Sequence, residues 1–279
     1  MAHPFEHLLL ATEHTEFDTG AEALALALAQ RCGLPLAVVL PMLSNAEFEM
    51  LAPELAQKAD SETAARIQAL QAAAQPLRVL LSPRVRRGAD LAAEIVAEAR
   101  SAQADLLIIR RRSKRGFLSR LLVGEMVSQV VALAPCSVLV TPRAAMLWRT
   151  RVMVGVDPLA PDTGCVAAAA AVAAACQLPL LVVCVAAGAA ERPQAEIALA
   201  SAVQQARQQH ADASGEVVIG RAAPALLATA DQRGADLLVV SRHRPGTSAH
   251  ARMGSTAEAV TGHASGPVLV HVAARVAGA

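Results

Sequence analysis

Short apolar runs alternate along this chain with longer segments in which Ala and Leu are interleaved with polar residues. Leu8–Ala11, Leu36–Leu40, Leu77–Leu81, Asp105–Ile109 and Ser137–Val140 form a first series of such runs. Val152–Val156, Leu180–Val185, Glu216–Ile219, Asp236–Val240 and Val268–Val270 form a second. Runs this short, apolar almost throughout, read as strands covered on both faces. The intervening segments predict helices at about 19–32, 47–74 and 89–103, then at about 162–176, 191–213 and 223–233. A fourth helix is expected before each last strand. Asp162 or Thr163 supplies a plausible N-cap for the helix at 162–176. Strict alternation of strand and helix predicts parallel sheets with helices on both faces.

The two series are copies of one another. His7–Glu13 (HLLLATE) returns as Arg151–Asp157 (RVMVGVD), and Leu34–Val39 returns as Leu178–Val183, both at an offset of 144. Ala104–Ile109 returns as Ala235–Val240 at 131, and Ser137–Val140 as Pro267–Val270 at 130. Four matched segments in one order mean a duplicated domain, with a period too long for a solenoid. The drop in offset is explained by a shorter second helix in the second copy. The fold class is therefore α/β: two tandem doubly wound, Rossmann-like domains, each a five-stranded parallel sheet. They span residues 1–145 and 146–279, joined near Pro142–Thr150, where Arg143 and Arg149 flank Trp148. The last strands, Ser137–Val140 and Val268–Val270, are expected to pair within the chain as a pseudo-dimer, since exposed strand edges demand cover. A further homodimer is compatible with the same pattern.

Composition narrows the partners. Of 279 residues, 2% are aromatic and none is Tyr, so stacking platforms for nucleic-acid bases are scarce. A net charge of +1 provides no global field, so anion binding must be local. The five cysteines form no C-x-x-C pair and suit buried thiols in a reducing cytoplasm, where the protein is expected. The start of the chain has no signal-peptide pattern. Cys165–Ala190 is uncharged and long enough to span a bilayer, but it is mostly Ala and is broken by Gln177 and Pro179. It reads as helix, turn and buried strand.

Ligands of open parallel sheets bind beyond the carboxyl ends of the strands, where strand order reverses. In the second copy those ends carry Asp157 and Ser241. Ser241 runs into a basic loop, Arg242-His-Arg-Pro-Gly-Thr-Ser-Ala-His-Ala-Arg-Met253, which feeds Gly254-Ser255-Thr256-Ala257-Glu258. A small-residue turn at a helix N-terminus presents free N–H groups and suits phosphate. Ser255-x-x-Glu258 equally satisfies a capping box that needs no ligand, and Asp157 equally suits a turn. The run Arg110–Arg115 is the densest charge in the chain and reads as a solvated loop, with an anionic partner as the alternative.

These segments resemble the universal stress proteins in their tandem two-domain form. The resemblance rests on an Asp after strand one and a motif after strand four: Gly, two residues, Gly, nine residues, Gly, then Ser or Thr. Gly254–Val260 followed by Gly266–Val270 is similar to the family's ending, as are Gly124 and Ala134–Val140 in the first copy. The resemblance implies a site for ATP, with Mg2+, or a related adenine nucleotide. By position it implies Asp157 near the nucleoside and Val185 lining the adenine pocket. It implies Ser241, Arg244, Gly254, Ser255 and Thr256 around the phosphates.

The departures are informative. Ser241 and Arg244 replace the family's first two glycines, which let backbone approach phosphate closely. Arg244 can instead pair with phosphate directly, and Arg242, His243 and Arg252 add positive charge. In the first copy the Asp position is Glu13, the glycine positions fall on Arg110 and Ser113, and Gly124 is followed by Glu125. A carboxylate at a helix N-terminus satisfies the dipole and repels phosphate, so binding is expected in the C-terminal domain alone. The leading expectation is a nucleotide-binding stress-response protein. A scaffold of the same family, with both sites decayed, is the alternative. An enzyme such as an ATP pyrophosphatase lacks a G-x-x-x-x-G-K-[ST] loop, Cys/His metal spacing or a Ser/His/Asp arrangement. At most slow ATP hydrolysis is expected, and no catalytic residue or protein-held metal is assigned.

Overall fold

A computed structural model describes residues 4–44, 50, 53–111, 124–209, 212–242 and 253–273. The first copy contains β1 (Leu8–Ala11), α1 (Thr19–Cys32), β2 (Leu36–Leu43), α2 (Pro53–Ala74), β3 (Leu81–Gly88), α3 (Leu91–Ser101), β4 (Leu106–Arg110), α4 (Glu125–Leu133) and β5 (Ser137–Thr141). The second contains β6 (Val152–Val156), α5 (Thr163–Cys176), β7 (Leu180–Ala186), α6 (Arg192–Gln208), β8 (Ala213–Ile219), α7 (Ala222–Arg233), β9 (Leu237–Ser241), α8 (Ser255–His263) and β10 (Val268–His271).

The ten described strands lie in one sheet, in the order β3-β2-β1-β4-β5-β10-β9-β6-β7-β8. Pairing is parallel within each copy and antiparallel only at the seam, where Val140, Leu139 and Val138 face Val268, Leu269 and Val270. Because side chains alternate along a strand, Leu8 and Leu10 join the core on one side of the sheet with α1 and α5, including Leu24 and Val172. Leu9 and Ala11 join the other side, with Ile95, Val130, Leu226 and Val260 of α3, α4, α7 and α8.

One strand is shifted from its expected place. Leu77–Leu81 does not form β3: Gln75–Leu77 is a 3-10 turn, Leu80 is exposed, and the strand runs from Leu81 to Gly88. β3 is an edge strand, so it needs no continuous apolar run. It tolerates Pro83 and carries Arg84, Arg86 and Arg87, of which Arg86 pairs with Glu98 at 2.6 Å and Arg87 with Asp60. The helix expected over 191–213 ends at Gln208, because Ala213 already begins β8. Of the helix expected from 47, the described part is α2 from Pro53, with Met50 also helical. Cys165–Ala190 resolves into α5, a turn and β7, and no described helix is long and apolar enough to cross a membrane.

The repeated Ala-Asp-Leu-Leu motif has a structural cause. The Asp236 carboxylate accepts hydrogen bonds from the backbone N–H groups of Arg149 (2.6 Å), Thr150 (2.9 Å) and Arg151 (3.0 Å), at the entry to β6. Asp105 does the same for Glu6 (2.6 Å) and His7 (3.1 Å) before β1. Each aspartate thus fixes where its copy's central strand begins.

Two arginines close the seam reciprocally. Arg111 of the first copy donates to the carbonyls of Ala264 (2.5 Å) and Thr261 (3.4 Å), at the end of α8. Arg242 of the second donates to those of Ala132 and Ala134 (both 3.1 Å) and Val131 (3.3 Å), at the end of α4. Unpaired carbonyls and the negative dipole end of a helix favour a cation there. Burial lowers the Arg111 pKa. Arg110 and Arg111, read from sequence as the start of a solvated run, both turn inward, while residues 112–115 lie outside the described residues.

Two predictions follow from these contacts. Asp236→Ala should lower stability by about 1–2 kcal/mol, the scale of charge-assisted bonds at a partly exposed site, and Asp105→Ala by less; urea unfolding reads both. At the seam, His271 places Nδ1 3.4 Å from Ser137 Oγ, while its buried Nε2 has no partner among the described residues. Burial, with a smaller contribution from Arg242 and opposed by Asp162, holds its pKa below the ordinary imidazole value. The native state therefore binds fewer protons than the unfolded chain near that value, and stability falls as pH drops below about 6.5. His271→Asn should flatten that acid limb in urea titrations across pH 5–8.

Candidate functional site

The strand-order reversal in each copy lies between its first and fourth strands, where a crevice opens at the carboxyl ends. In the second copy the carboxyl end of the sheet has two parts of interest, one over β6, β7 and β8 and one at the helix start that follows β9. A cavity of about 320 Å³ is bounded by Asp157 and Leu159 after β6, Val185 of β7, Glu191, and the turn Gly220-Arg221-Ala222 between β8 and α7. Asp157 and Val185, chosen from sequence, thus share one cavity. Its volume is at the small end for ligand pockets, which suits a nucleoside moiety rather than a whole triphosphate.

The cavity wall is held from within. Asp157 Oδ1 accepts the Leu159 N–H at 2.9 Å, so the turn role foreseen for this residue is real and coexists with its exposure to the cavity. Glu191 Oε2 accepts the Ala187 N–H at 2.9 Å. Gly220 has φ +153°, a conformation rare for other residues, and lets the chain turn sharply into α7. Burial, and then the Asp157 charge, push the Cys184 thiol up to about 11, so the residue preceding Val185 is a neutral apolar group at pH 7.

The second part is the start of α8. Gly254 is its N-cap, in extended conformation (φ −64°, ψ 148°), with no side-chain cap hydrogen bond. This corrects the capping-box reading: Ser255 is the first helical residue, one position too late to cap. Gly254 has no side chain with which to cap, and among the described residues no side chain caps the first-turn N–H groups of α8, which suits solvent or an anionic ligand there. The loop that feeds α8 is closed at its base, where Gly254 N–H donates to Arg242 O (3.0 Å) and Arg242 N–H to His271 O (2.9 Å). The Arg242 side chain, expected to add charge beside the phosphates, instead caps α4 across the seam. Ser241 Oγ donates to Asp162 Oδ2 at 2.6 Å, and Asp162 Oδ1 caps α5 by accepting the Cys165 N–H at 3.0 Å. Ser241, Gly254, Ser255 and Thr256 therefore belong to the loop base and helix start rather than to the cavity lining. Arg244, with His243, His250 and Arg252, lies outside the described residues.

The first copy is arranged differently at the equivalent positions. Arg110, in the place of Ser241, sends Nε to Asp18 Oδ1 (2.9 Å) and a terminal nitrogen to Glu13 Oε2 (2.7 Å). Asp18 stands where Asp162 stands and is 1% exposed; Glu13 stands where Asp157 stands. His14 (φ 51°) and Thr12 both contact Glu22, at 3.0 and 2.6 Å, and Phe17 lies 5.8 Å from the Arg110 guanidinium and 5.0 Å from that of Arg143. The crevice between β1 and β4 is crossed by the protein's own ion pairs. The start of α4 repeats the α8 geometry, with Gly124 as an N-cap lacking a side-chain bond, but Glu125 follows it.

Sequence reasoning missed Leu159, Glu191, Gly220, Arg221 and Ala222. A signal existed for the last three, because Gly220 ends an apolar strand and Pro224 lies in the first turn of the next helix. Among the described residues, no group of three or more His, Cys, Asp or Glu could hold a metal ion.

A sequence profile described as the Universal stress protein family matches residues 4–142 and again 149–271. The chain belongs to that family. A universal stress protein from Archaeoglobus fulgidus superposes with a TM-score of 0.71 at 16% identity, covering 96% of each chain. A putative universal stress protein from Pseudomonas aeruginosa gives 0.61 at 17% identity, over 95% of this chain and 93% of its own. The cytoplasmic domain of a prokaryotic cation chloride cotransporter gives 0.57 at 12% identity, over 96% of each chain. At such identities the likeness is one of fold, and that fold hosts more than one role. No curated protein sequence matches the chain.

Removing Arg110 should expose what it compensates. Asp18 would be left as a buried carboxylate without its cation, so Arg110→Ala should cost about 2–4 kcal/mol, near the range for breaking a buried pair. Arg110→Ala combined with Asp18→Asn should recover part of that loss. Chemical unfolding of the three variants provides the cycle.

Proposed function

We propose that this universal stress protein binds an adenine nucleotide in its C-terminal copy and serves a stress response through the bound state. The observation that carries the reading is the cavity shared by Asp157 and Val185, in the same copy as a helix start that no side chain caps among the described residues. Asp157 would accept ribose hydroxyls, and Val185 would face the base. The N–H groups at Gly254, Ser255 and Thr256 would receive phosphate, with the Ser241 hydroxyl and Arg244 beside them. The residues fit the nucleoside part well. For the phosphates the fit rests on backbone amides, since Ser241 Oγ is engaged by Asp162. Magnesium would arrive with ATP, held chiefly by the phosphates. The N-terminal copy would act as a structural partner within an intrachain pseudo-dimer in the cytoplasm, its crevice closed by Arg110, Glu13 and Asp18.

The scaffold reading is favoured by one observation: neither copy keeps the first two glycines of the phosphate loop. The two readings separate in a thermal-shift titration with ATP and Mg2+. Nucleotide binding stabilises by about 2.7 kcal/mol at a hundredfold excess over Kd. Asp157→Ala should weaken binding about tenfold to a hundredfold, the loss of one or two charge-assisted hydrogen bonds, while leaving Tm without ligand nearly unchanged. No shift with ATP, ADP or AMP would refute nucleotide binding and leave the scaffold.

A further inference from the structure

The two free edges of the ten-stranded sheet are unlike. β3 is guarded by Pro83 and three arginines, features that discourage edge pairing. β8, at the other end, reads Ala-Ser-Gly-Glu-Val-Val-Ile, contains no Pro or Lys, and leaves Ser214, Gly215 and Ile219 exposed. Beside it runs a groove of about 740 Å³ whose lining includes Glu196, Leu199, Ala200, Val203 and Arg207 of α6, and Gly215 of β8. We infer that this edge pairs with the same edge of a second copy of the chain through a twofold axis over Gly215, making a homodimer with a continuous twenty-stranded sheet.

Three features of the sequence in register support a second copy as the occupant. First, α6 is charge-complementary to itself when run antiparallel about a centre between Ser201 and Ala202. Glu196 then meets Arg207 of the second copy and Arg207 meets Glu196, while Ala200 meets Val203. Second, the same axis suits the strand. A Cβ on Gly215 would stand 2.7 Å from both Leu199 and Val203, so Gly215 lies under the middle of α6. A twofold at Gly215 sets Glu216 opposite Ser214 and Val217 opposite Ala213, so no like charges face each other across the ladder. Glu216 is already neutralised by Arg233.

Third, the spacing closes. α6 packs over both β7 and β8. With strands about 4.8 Å apart, the two copies of α6 would lie roughly 10 Å from one another, the usual distance for packed helices. The pairing of Glu196 with Arg192 is an exposed contact one turn away (2.9 Å) and presents little obstacle to re-pairing. Arg207 Nε donates to Ala213 O at 3.1 Å, which holds its guanidinium at the strand edge beside the second copy's Glu196. An isologous contact of this kind is closed, and so explains how an edge covered only by Arg207 escapes open-ended association.

Sedimentation of the full chain at 1–100 µM should show a dimer. Glu196→Arg alone opposes arginine to arginine twice, and Arg207→Glu alone opposes glutamate to glutamate twice, so each variant should sediment as a monomer. Mixing the two should restore a dimer containing one of each, because every contact is again attractive. The mixture separates a loss of contact from a loss of fold, since misfolded chains would not rescue one another. A wild-type monomer at 100 µM, a dimer indifferent to either charge reversal, or two monomeric variants that do not pair would each overturn the inference. None of these outcomes bears on the nucleotide reading, which the ligand titration tests separately.

Discussion

The seam between β5 and β10 is the contact on which the rest of this structure depends. Three residues on each strand pair antiparallel, a short ladder for holding two five-stranded half-sheets together. The crossed arginines supplement it. Arg111 and Arg242 each leave the end of their own copy's fourth strand and satisfy carbonyls at the end of the other copy's last helix. Hydrogen bonds from a charged donor contribute about 1.5–3 kcal/mol each. The backbone N–H of each arginine also bonds its own last strand, at Thr141 O (2.7 Å) and His271 O (2.9 Å). The root of each loop after strand four is therefore fixed by a residue committed to the opposite half. Neither crevice is built by its own copy alone.

On this symmetric frame the crevices have diverged by a change of charge at one position. In both copies the residue that ends strand four reaches the acid that precedes the first helix: Ser241 to Asp162, Arg110 to Asp18. The hydroxyl brings no guanidinium to Asp157, which pairs with none among the described residues, and a cavity lies beside it. The guanidinium is larger and charged, continues to Glu13, and draws Phe17 over itself. Asp18 is almost fully buried, and a buried carboxylate requires a countercharge or several donors. Thr15 supplies two donors to Oδ2, its N–H (2.9 Å) and its hydroxyl (2.6 Å), and Arg110 supplies the countercharge at Oδ1, so reopening the crevice by removing Arg110 would leave Asp18 without its cation.

The sequence disclosed the parts of the fold that depend on apolar burial. Strands covered on both faces, such as β1, β4, β6 and β9, were legible because nothing polar can stand in them. β3 was misplaced because an edge strand escapes that requirement, and an apolar run next to it belonged to a turn. At the site, Asp157 was legible as the end of a buried strand and Val185 was implied by the family resemblance; the structure sets both at one cavity. The capping of α8 was misread because one residue of displacement, from Ser255 to Gly254, decides whether a side chain or nothing covers the helix start. The role of Arg242 was illegible for a different reason. Its partners lie more than a hundred residues away, across a seam whose geometry no local pattern encodes.

The charge balance of the C-terminal crevice limits what it can hold. Among the described residues no guanidinium pairs with Asp157 or Asp162 as Arg110 pairs with their counterparts, so a triphosphate would meet two carboxylates there. Two like charges 4 Å apart repel by about 4 kcal/mol at an effective dielectric constant near 20, comparable to what a few backbone N–H groups return. A polyphosphate therefore requires added cations, from Arg221 at the cavity, from Arg244 and Arg252 in the loop, or from magnesium. A nucleoside or monophosphate needs fewer. On the nucleotide reading, affinity should consequently depend more strongly on magnesium and ionic strength as phosphates are added, because each further phosphate is held by ions rather than by the pocket that recognises the base.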